Sequence, residues 1–297
     1  GGKASYPSSL IMNAVPAIIA GVKRIAVVSP SYQGKPNPYI MAILKLLNIK
    51  EVYQVGGAHA IAALAYGTKT IKPVNKIFGP GNIYVNSAKK QVFGKVGIDI
   101  IAGPSEIVVV ADKNNNPDWI AADLIAQAEH DEKAQSILIT NNLDFAKKVN
   151  NSIKILSKKV LKNKIINKSL NNLGCIIIIK SFKTAYKYIN DIAPEHLHIQ
   201  SSVNKEIYSK VTNAGAVFLG SYSTESFGDY IAGTNHVLPT NGSACFASGL
   251  GVLDFMKRNS CIKVNKRGFN FLFAHTKKMA EVEGLQAHKL SVQIRED

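Results

Sequence analysis

Cysteine is nearly missing from this chain: Cys175, Cys245 and Cys261 are the only three in 297 residues, scattered and without a CxxC pair. That excludes a disulfide scaffold or a cysteine zinc cluster and fits free thiols in a reducing compartment. No uninterrupted apolar run reaches the ~18 residues that a membrane-crossing helix needs. The start, Gly1-Gly2-Lys3-Ala4, has no apolar signal-peptide core and no initiator Met. A soluble, cytoplasmic chain is therefore expected, one whose natural start lies upstream of residue 1. Three nucleotide and hydrolase signatures are absent as well: GxGxxG, GxxxxGK(S/T) and GxSxG. Their absence removes motif support for a dinucleotide fingerprint, a P-loop and a hydrolase elbow.

Acidic residues are also scarce, 20 against 36 Lys and Arg, for a net charge of +16. Between Phe145 and Asn190 there are none, and Lys147, Lys148, Lys154, Lys158, Lys159, Lys162, Lys164 and Lys168 sit among Asn and Ile. A basic chain invites a nucleic-acid reading. No aromatic platform interleaves these lysines and no helix-turn-helix or finger signature occurs, so a solvated lysine face is the expectation.

What is present is an alternation of short apolar runs and helical patterns. Lys23–Pro30, Glu51–Val55 and Lys76–Phe78 read as strands. Pro38–Leu47, Ala58–Tyr66 and a stretch from Asn82 towards Phe93 read as helices. This order predicts a parallel sheet with right-handed crossovers, and its glycine-rich turns, Gly56-Gly57 and Gly79-Pro80-Gly81-Asn82, fall where open α/β sheets bind ligands. A second set of strands is expected at Ile107–Val110, Ser136–Thr140, Cys175–Lys180 and Ala216–Leu219. The unbroken runs at Ile107–Val110 and Ile176–Ile179 suggest strands covered on both faces. Soft boundaries fall near Gly103-Pro104 and Gly249-Leu250-Gly251, and the tail beyond them reads as helical and basic.

Four clusters could carry chemistry. Asn116-Pro117-Asp118 starts a helix expected to run through Gln127-Ala128-Glu129-His130-Asp131-Glu132. Gln127 and His130, three apart, would share a face as two metal ligands, although surface helices often carry this spacing. Ala193-Pro194-Glu195-His196-Leu197-His198 sets a carboxylate beside an imidazole. Both can reach one substrate only if the backbone turns at the proline; such a pair can supply two general bases, and a surface loop is the competing reading. Phe227 to Thr240 concentrates two glycines with Asp229, Asn235 and His236, in keeping with a structured loop or plain turn chemistry. In the tail, Glu283 and His288 are five apart, so they serve one site only if Gly284 breaks the helix or the tail inserts between surfaces.

Taken in order, the strings Gly1-Gly2-Lys3-Ala4-Ser5-Tyr6-Pro7-Ser8-Ser9, Ala62–Thr68, Gly79–Asn82, Ile101–Glu106, Gln127–Glu132, Ala193–Leu197, Gly228–Thr240 and Glu281–His288 resemble the histidinol dehydrogenase family, nearly collinearly. The resemblance implies oxidation of L-histidinol to L-histidine through histidinal, with two NAD⁺ reduced and one Zn²⁺ per subunit. It implies metal ligands at Gln127, His130, Asp229 and His288, and an acid–base pair at Glu195 and His196. Substrate contacts would fall on Ser105, His236 and Glu283 together with Gln127, His130, His196, Asp229 and His288, and NAD contacts on His59 and Asn82. It further implies an α/β fold of two incomplete Rossmann-like parallel-sheet domains plus a helical C-terminal tail. Residues 1–105 would form the NAD-side domain, residues 106–248 a second domain lacking its N-terminal part, and residues 249–297 a tail exchanged within a homodimer. No nucleic-acid or membrane partner is implied. The chain departs from the family in three ways: His59 replaces the usual Gln, Thr234 replaces the usual Pro, and an upstream segment that helps to hold NAD is missing, making the chain N-terminally shortened. Two other readings remain open: a degenerate relative that binds zinc and dimerises without turnover, and a basic nucleic-acid binder.

Overall fold

The computed structural model describes residues 6–31 and 34–296. The Gly1–Ser5 part of the first family-like string lies outside the described residues. The chain divides into two compact units, Gly1–Met256 and Lys257–Asp297.

The first unit opens with α1 (Pro7–Ile19), β1 (Ala26–Val28), α2 (Pro38–Leu46), β2 (Glu51–Tyr53), α3 (Gly57–Tyr66), β3 (Lys76–Ile77), α4 (Ile83–Val92) and β4 (Gly97–Ile98). The helices start where side chains satisfy their free N–H groups: Asn37 caps α2 and Asn82 caps α4. The strands pair in parallel as β1–β2 and β3–β4. The single sheet expected here is therefore two separate ladders. The strands are only two or three residues long, and Ile61, Leu64, Ile71, Ile77, Val85 and Val92 pack between them and the helices.

There follow β5 (Glu106–Val110), α5 (Pro117–Ala128), β6 (Gln135–Thr140), α6 (Leu143–Leu156), α7 (Asn163–Leu173), β7 (Cys175–Ile178), α8 (Ala185–Ile192), β8 (His196–Ile199), α9 (Asn204–Tyr208), β9 (Ala216–Leu219) and α10 (Glu225–Tyr230). The five strands form one parallel sheet in the order β7-β6-β5-β8-β9. The pleat sorts its side chains. Ile107, Val109 and Leu138 pack under α5 and α6 with Ile120, Leu124, Phe145 and Val149. Val108, Val110, Ile137, Ile139, Leu197 and Ile199 face α8 and α9 with Ile189 and Ile207. Since Leu197 and Ile199 take the second face, His196 and His198 point to the first, beneath α5.

Two expectations need correction. Ile176 and Ile178 lie on β7, an edge strand, and are 37% and 46% exposed, so this apolar run is not covered on both faces. The helix expected to reach Glu132 ends at Ala128, with Glu129 as its C-cap. His130 therefore sits in the turn beyond it, its N–H donating to the Gln127 carbonyl at 3.2 Å.

The second unit holds α11 (Lys266–Val282) and α12 (Gln286–Gln293). Gly284 separates them at φ +71, a conformation that disfavours side-chain-bearing residues. No helix is long and apolar enough to cross a membrane among the described residues, and all three cysteines are free and exposed.

Candidate active site

The candidate site lies at the amino ends of β5, the central strand of the large sheet, and its neighbour β8. Strand–helix crossovers return the chain to that end, and α5 brings Gln127 with it. Gln127 is fully buried. In the amide orientation that satisfies both of its ends, its oxygen accepts from the Glu106 N–H at 2.9 Å and its nitrogen donates to the Glu225 carboxylate.

Ala193 ends α8 in the left-handed region at φ 48, and Pro194 follows. This is the backbone turn that Glu195 and His196 need to serve one pocket. Glu195 Oε2 accepts from the Glu106 N–H at 3.0 Å. His196 Nδ1 lies 3.2 Å from the Glu106 carbonyl oxygen, an acceptor only, so that nitrogen carries the proton and donates. Nε2 is left as the basic nitrogen, 3.8 Å from Asp229 Oδ1. Gly215 is required behind this turn, because a Cβ there would stand 2.6 Å from the Glu195 carbonyl oxygen.

The third contribution is α10. Gly228 gives it room to pack, since a Cβ at that position would meet the Phe218 ring at 2.7 Å. One turn apart on this helix, Glu225 and Asp229 face the same pocket. Glu225 Oε1 lies 3.6 Å from His196 Nδ1. His236 ties the following loop to the helix: Nδ1 donates to the Asp229 carbonyl at 2.9 Å, and Nε2 lies 3.3 Å from Ser9 Oγ. Asn235 donates to the Met12 carbonyl at 2.7 Å, and the Thr234 hydroxyl to the Gly228 carbonyl at 3.4 Å. The loop is thus held in place by Thr234, Asn235 and His236 in turn.

Burial dominates the electrostatics. Desolvation pushes the Glu195 carboxyl up to about 8, reinforced by the charges of Glu106 and Asp229 and opposed by the Glu106 N–H. Desolvation likewise raises Glu225 well above its ordinary value, with Asp229 and Glu195 adding to it, and raises Glu106. The same effect lowers His196 to about 4 against the pull of Asp229, and lowers His130. At neutral pH the pocket therefore offers a neutral imidazole at His196 and a Glu195 carboxyl that keeps its proton.

A divalent cation fits this donor set. Ligand atoms of His130, Glu225 and Asp229 lie within 4.8 Å of one another, and mixed nitrogen and oxygen donors suit Zn²⁺. The amide of Gln127 adjoins the group through Glu225. Glu106 Oε2 is a buried acceptor without a partner among the described residues, as expected where a ligand's donor completes the site. Ser105 immediately precedes β5, and its carbonyl accepts from the Gln135 N–H at 2.9 Å. Glu283 caps the end of α11 and His288 lies on α12, both exposed residues of the second unit. His59 stands in the first turn of α3, and Asn82 is the N-cap of α4, its side-chain oxygen accepting from the Tyr84 and Val85 N–H groups at 3.1 Å.

Sequence reasoning missed Glu225 and Glu106. Glu225 had a signal in its four-residue spacing from Asp229. Glu106 adjoins the expected Ser105, but its part in the site is played largely by its backbone, which no side-chain pattern reveals.

The histidinol dehydrogenase family profile matches residues 1–296. The chain is 51% identical over 295 residues to the histidinol dehydrogenase of Brucella suis biovar 1 (strain 1330), covering 99% of this chain and 69% of that one. It is 50% identical to that of Hydrogenovibrio crunogenus, with 99% and 68% covered. Among solved structures, histidinol dehydrogenase from Elizabethkingia anophelis superposes with a TM-score of 0.95 at 40% identity, over 99% of this chain and 68% of that one. On a family match running nearly end to end and half the residues shared with curated members, this chain belongs to the histidinol dehydrogenase family of oxidoreductases.

Proposed function

We propose that this chain oxidises L-histidinol to L-histidine through histidinal in the cytoplasm, as a homodimer using two NAD⁺ and one Zn²⁺ per subunit. The observation that carries the reading is the convergence of Gln127, Glu195, His196 and Asp229, from three separate segments, on one pocket of a chain half identical to a named histidinol dehydrogenase. Gln127, His130 and Asp229, with His288 from a second subunit, are the residues that would hold the metal; Glu225 stands beside them. Ser105, His236 and Glu283 are assigned to the substrate, and His59 and Asn82 to NAD. The NAD-side domain is taken as residues 1–105, the second domain as 106–248 and the exchanged tail as 249–297.

When bound, Zn²⁺ would hold the substrate's imidazole and amino nitrogens, and NAD⁺ would accept hydride. The chain's own task is then to move protons. His196 suits the alcohol proton, because Nδ1 is committed to the Glu106 carbonyl and Nε2 is free to accept. The aldehyde must add water before a second hydride can leave, and that water must lose a proton. Glu195 suits this step: a carboxylate whose proton affinity is raised to about 8 is a far stronger base than an exposed one when ionised. The test supplies histidinol and histidinal separately with NAD⁺ and follows NADH absorbance. Turnover of neither would overturn the proposal.

A further inference from the structure

A second buried polar cluster, away from the proposed chemistry, joins the two helices that carry the site. At its centre is Asp123, on α5 one turn before Gln127. Its Oδ2 accepts from Gln200 Nε2 at 2.7 Å and lies 3.2 Å from His198 Nδ1, while its Oδ1 accepts from the Thr224 hydroxyl at 3.2 Å. His198, fully buried, donates from Nε2 to the Gly220 carbonyl at 2.9 Å. Asn115 donates to the Gln200 carbonyl at 3.1 Å and to Ser221 Oγ at 3.4 Å.

Three of these contacts, from His198 to Gly220, Asn115 to Ser221 and Asp123 to Thr224, grip the segment that turns the chain from β9 into α10, and Gln200 links their inner ends. They are also periodic. Trp119, Asp123 and Gln127 recur every four residues on one face of α5. Trp119 meets Tyr222, with ring centroids 5.5 Å apart; Asp123 meets Thr224; Gln127 meets Glu225. Three successive turns of α5 thus meet the chain as it enters α10, at Tyr222, at the N-cap Thr224 and at the first helical residue Glu225. The last rung lies in the site, and the middle one sets its height.

We infer that Asp123 and Thr224, backed by His198 and Gln200, are positioning residues that fix the register of α10 against α5, and so the placement of Asp229 and Glu225 relative to Gln127 and His130. This rests on the proposed zinc-dependent function. Partners one shell behind a metal's ligands typically change metal affinity or activity by about 10–100-fold. Thr224→Val keeps the shape of the side chain and removes the donor; Thr224→Ser restores it.

The experiment titrates Zn²⁺ into the metal-free full chain and its variants, and measures kcat and KM for histidinol alongside thermal midpoints. Thr224→Val should weaken Zn²⁺ binding by roughly 10–100-fold while its midpoint stays near the parent's, and Thr224→Ser should restore parental binding. The loss should fall on kcat as well as on KM, because the acid–base groups and the ligands lose their mutual placement. Should Thr224→Val fail to fold, Asp123→Asn supplies the same test, since its amide opposes the Gln200 amide. Parental zinc affinity in the folded variant would overturn the inference alone. A parent chain that bound no zinc would overturn the proposed function, and this inference with it.

Discussion

Glu195→Gln should make the protein more stable while disabling it, and the two effects have one cause. Glu195 is 7% exposed, and burial raises its carboxyl from an ordinary 4.5 to about 8. Between these values the folded chain holds a proton that the unfolded chain has released, so the unfolding free energy falls as pH rises. At about 1.4 kcal/mol per pH unit, going from 4.5 to pH 7 costs the native state ~3 kcal/mol. Gln has nothing to release, and its oxygen can keep the hydrogen bond from the Glu106 N–H. The variant's advantage should be absent near pH 4.5, grow to ~3 kcal/mol at pH 7 and level off above about 8, appearing as roughly 5–10 °C in thermal midpoint. The assay is thermal and urea unfolding of chelator-treated parent and variant across that range, where no bound cation offsets the buried charge. In the same variant, loss of the general base should slow turnover by ~10²–10⁴-fold, with histidinal oxidation hit harder than histidinol oxidation. A stability difference that did not change with pH would refute the burial argument. Histidinal oxidation at the parental rate would refute the role in activating water.

The other expectations are more direct. His130→Ala should lose the zinc, about one ion per chain, as read by metal analysis after dialysis; full occupancy would remove His130 from the ligand set. If His288 is donated across a dimer, mixing inactive His288→Ala and Glu195→Ala subunits should restore one intact site per heterodimer, and absence of recovery after subunit exchange would count against tail exchange. Lys89, 1% exposed, pairs with Asp99, which in turn accepts from the Gly79 N–H at 2.7 Å ahead of Asn82. Lys89→Met leaves that carboxylate buried without its partner and should cost ~3–5 kcal/mol in urea unfolding; a neutral result would mean that the pair does not hold this turn.

The parts of the fold legible in the sequence are those that local chemistry decides. Asn82 and Asn116 each start the helix that their position announces. Ile107–Val110 is a strand covered on both faces, as its unbroken apolar run suggests. The same kind of run misleads at Ile176–Ile179, because apolarity states what a strand would bury and not whether a neighbour is there to cover it. Gln127 and His130 do approach one pocket, but through a helix end and a turn; without a Gly or Pro stop signal the sequence could not announce that end. Glu225 went unnoticed because its partners lie far away in the chain: Gln127 precedes it by ninety-eight residues and His196 by twenty-nine. The four-residue spacing from Asp229 is the one local trace it leaves, and that spacing alone names no partner.

The chain has far more bases than acids, yet Glu106, Glu195, Glu225 and Asp229 gather at the amino ends of two strands. Among the described residues, the ion-pair neighbours of Glu195 and Glu225 include no Lys or Arg, only the imidazole of His196 at 3.6–3.7 Å. Burying carboxylates without cations is destabilising, and their raised proton affinities express that penalty. The end of α5 adds to it, because the unpaired carbonyls of a helix C-terminus present partial negative charge. Lysines are plentiful elsewhere, and one could neutralise the pocket only by filling it. A cation beside His130, Glu225 and Asp229 would supply the counter-charge these carboxyls lack and displace the protons they hold. The raised proton affinities of the pocket and its fitness for a cation thus have one cause, burial of carboxyls without a basic partner.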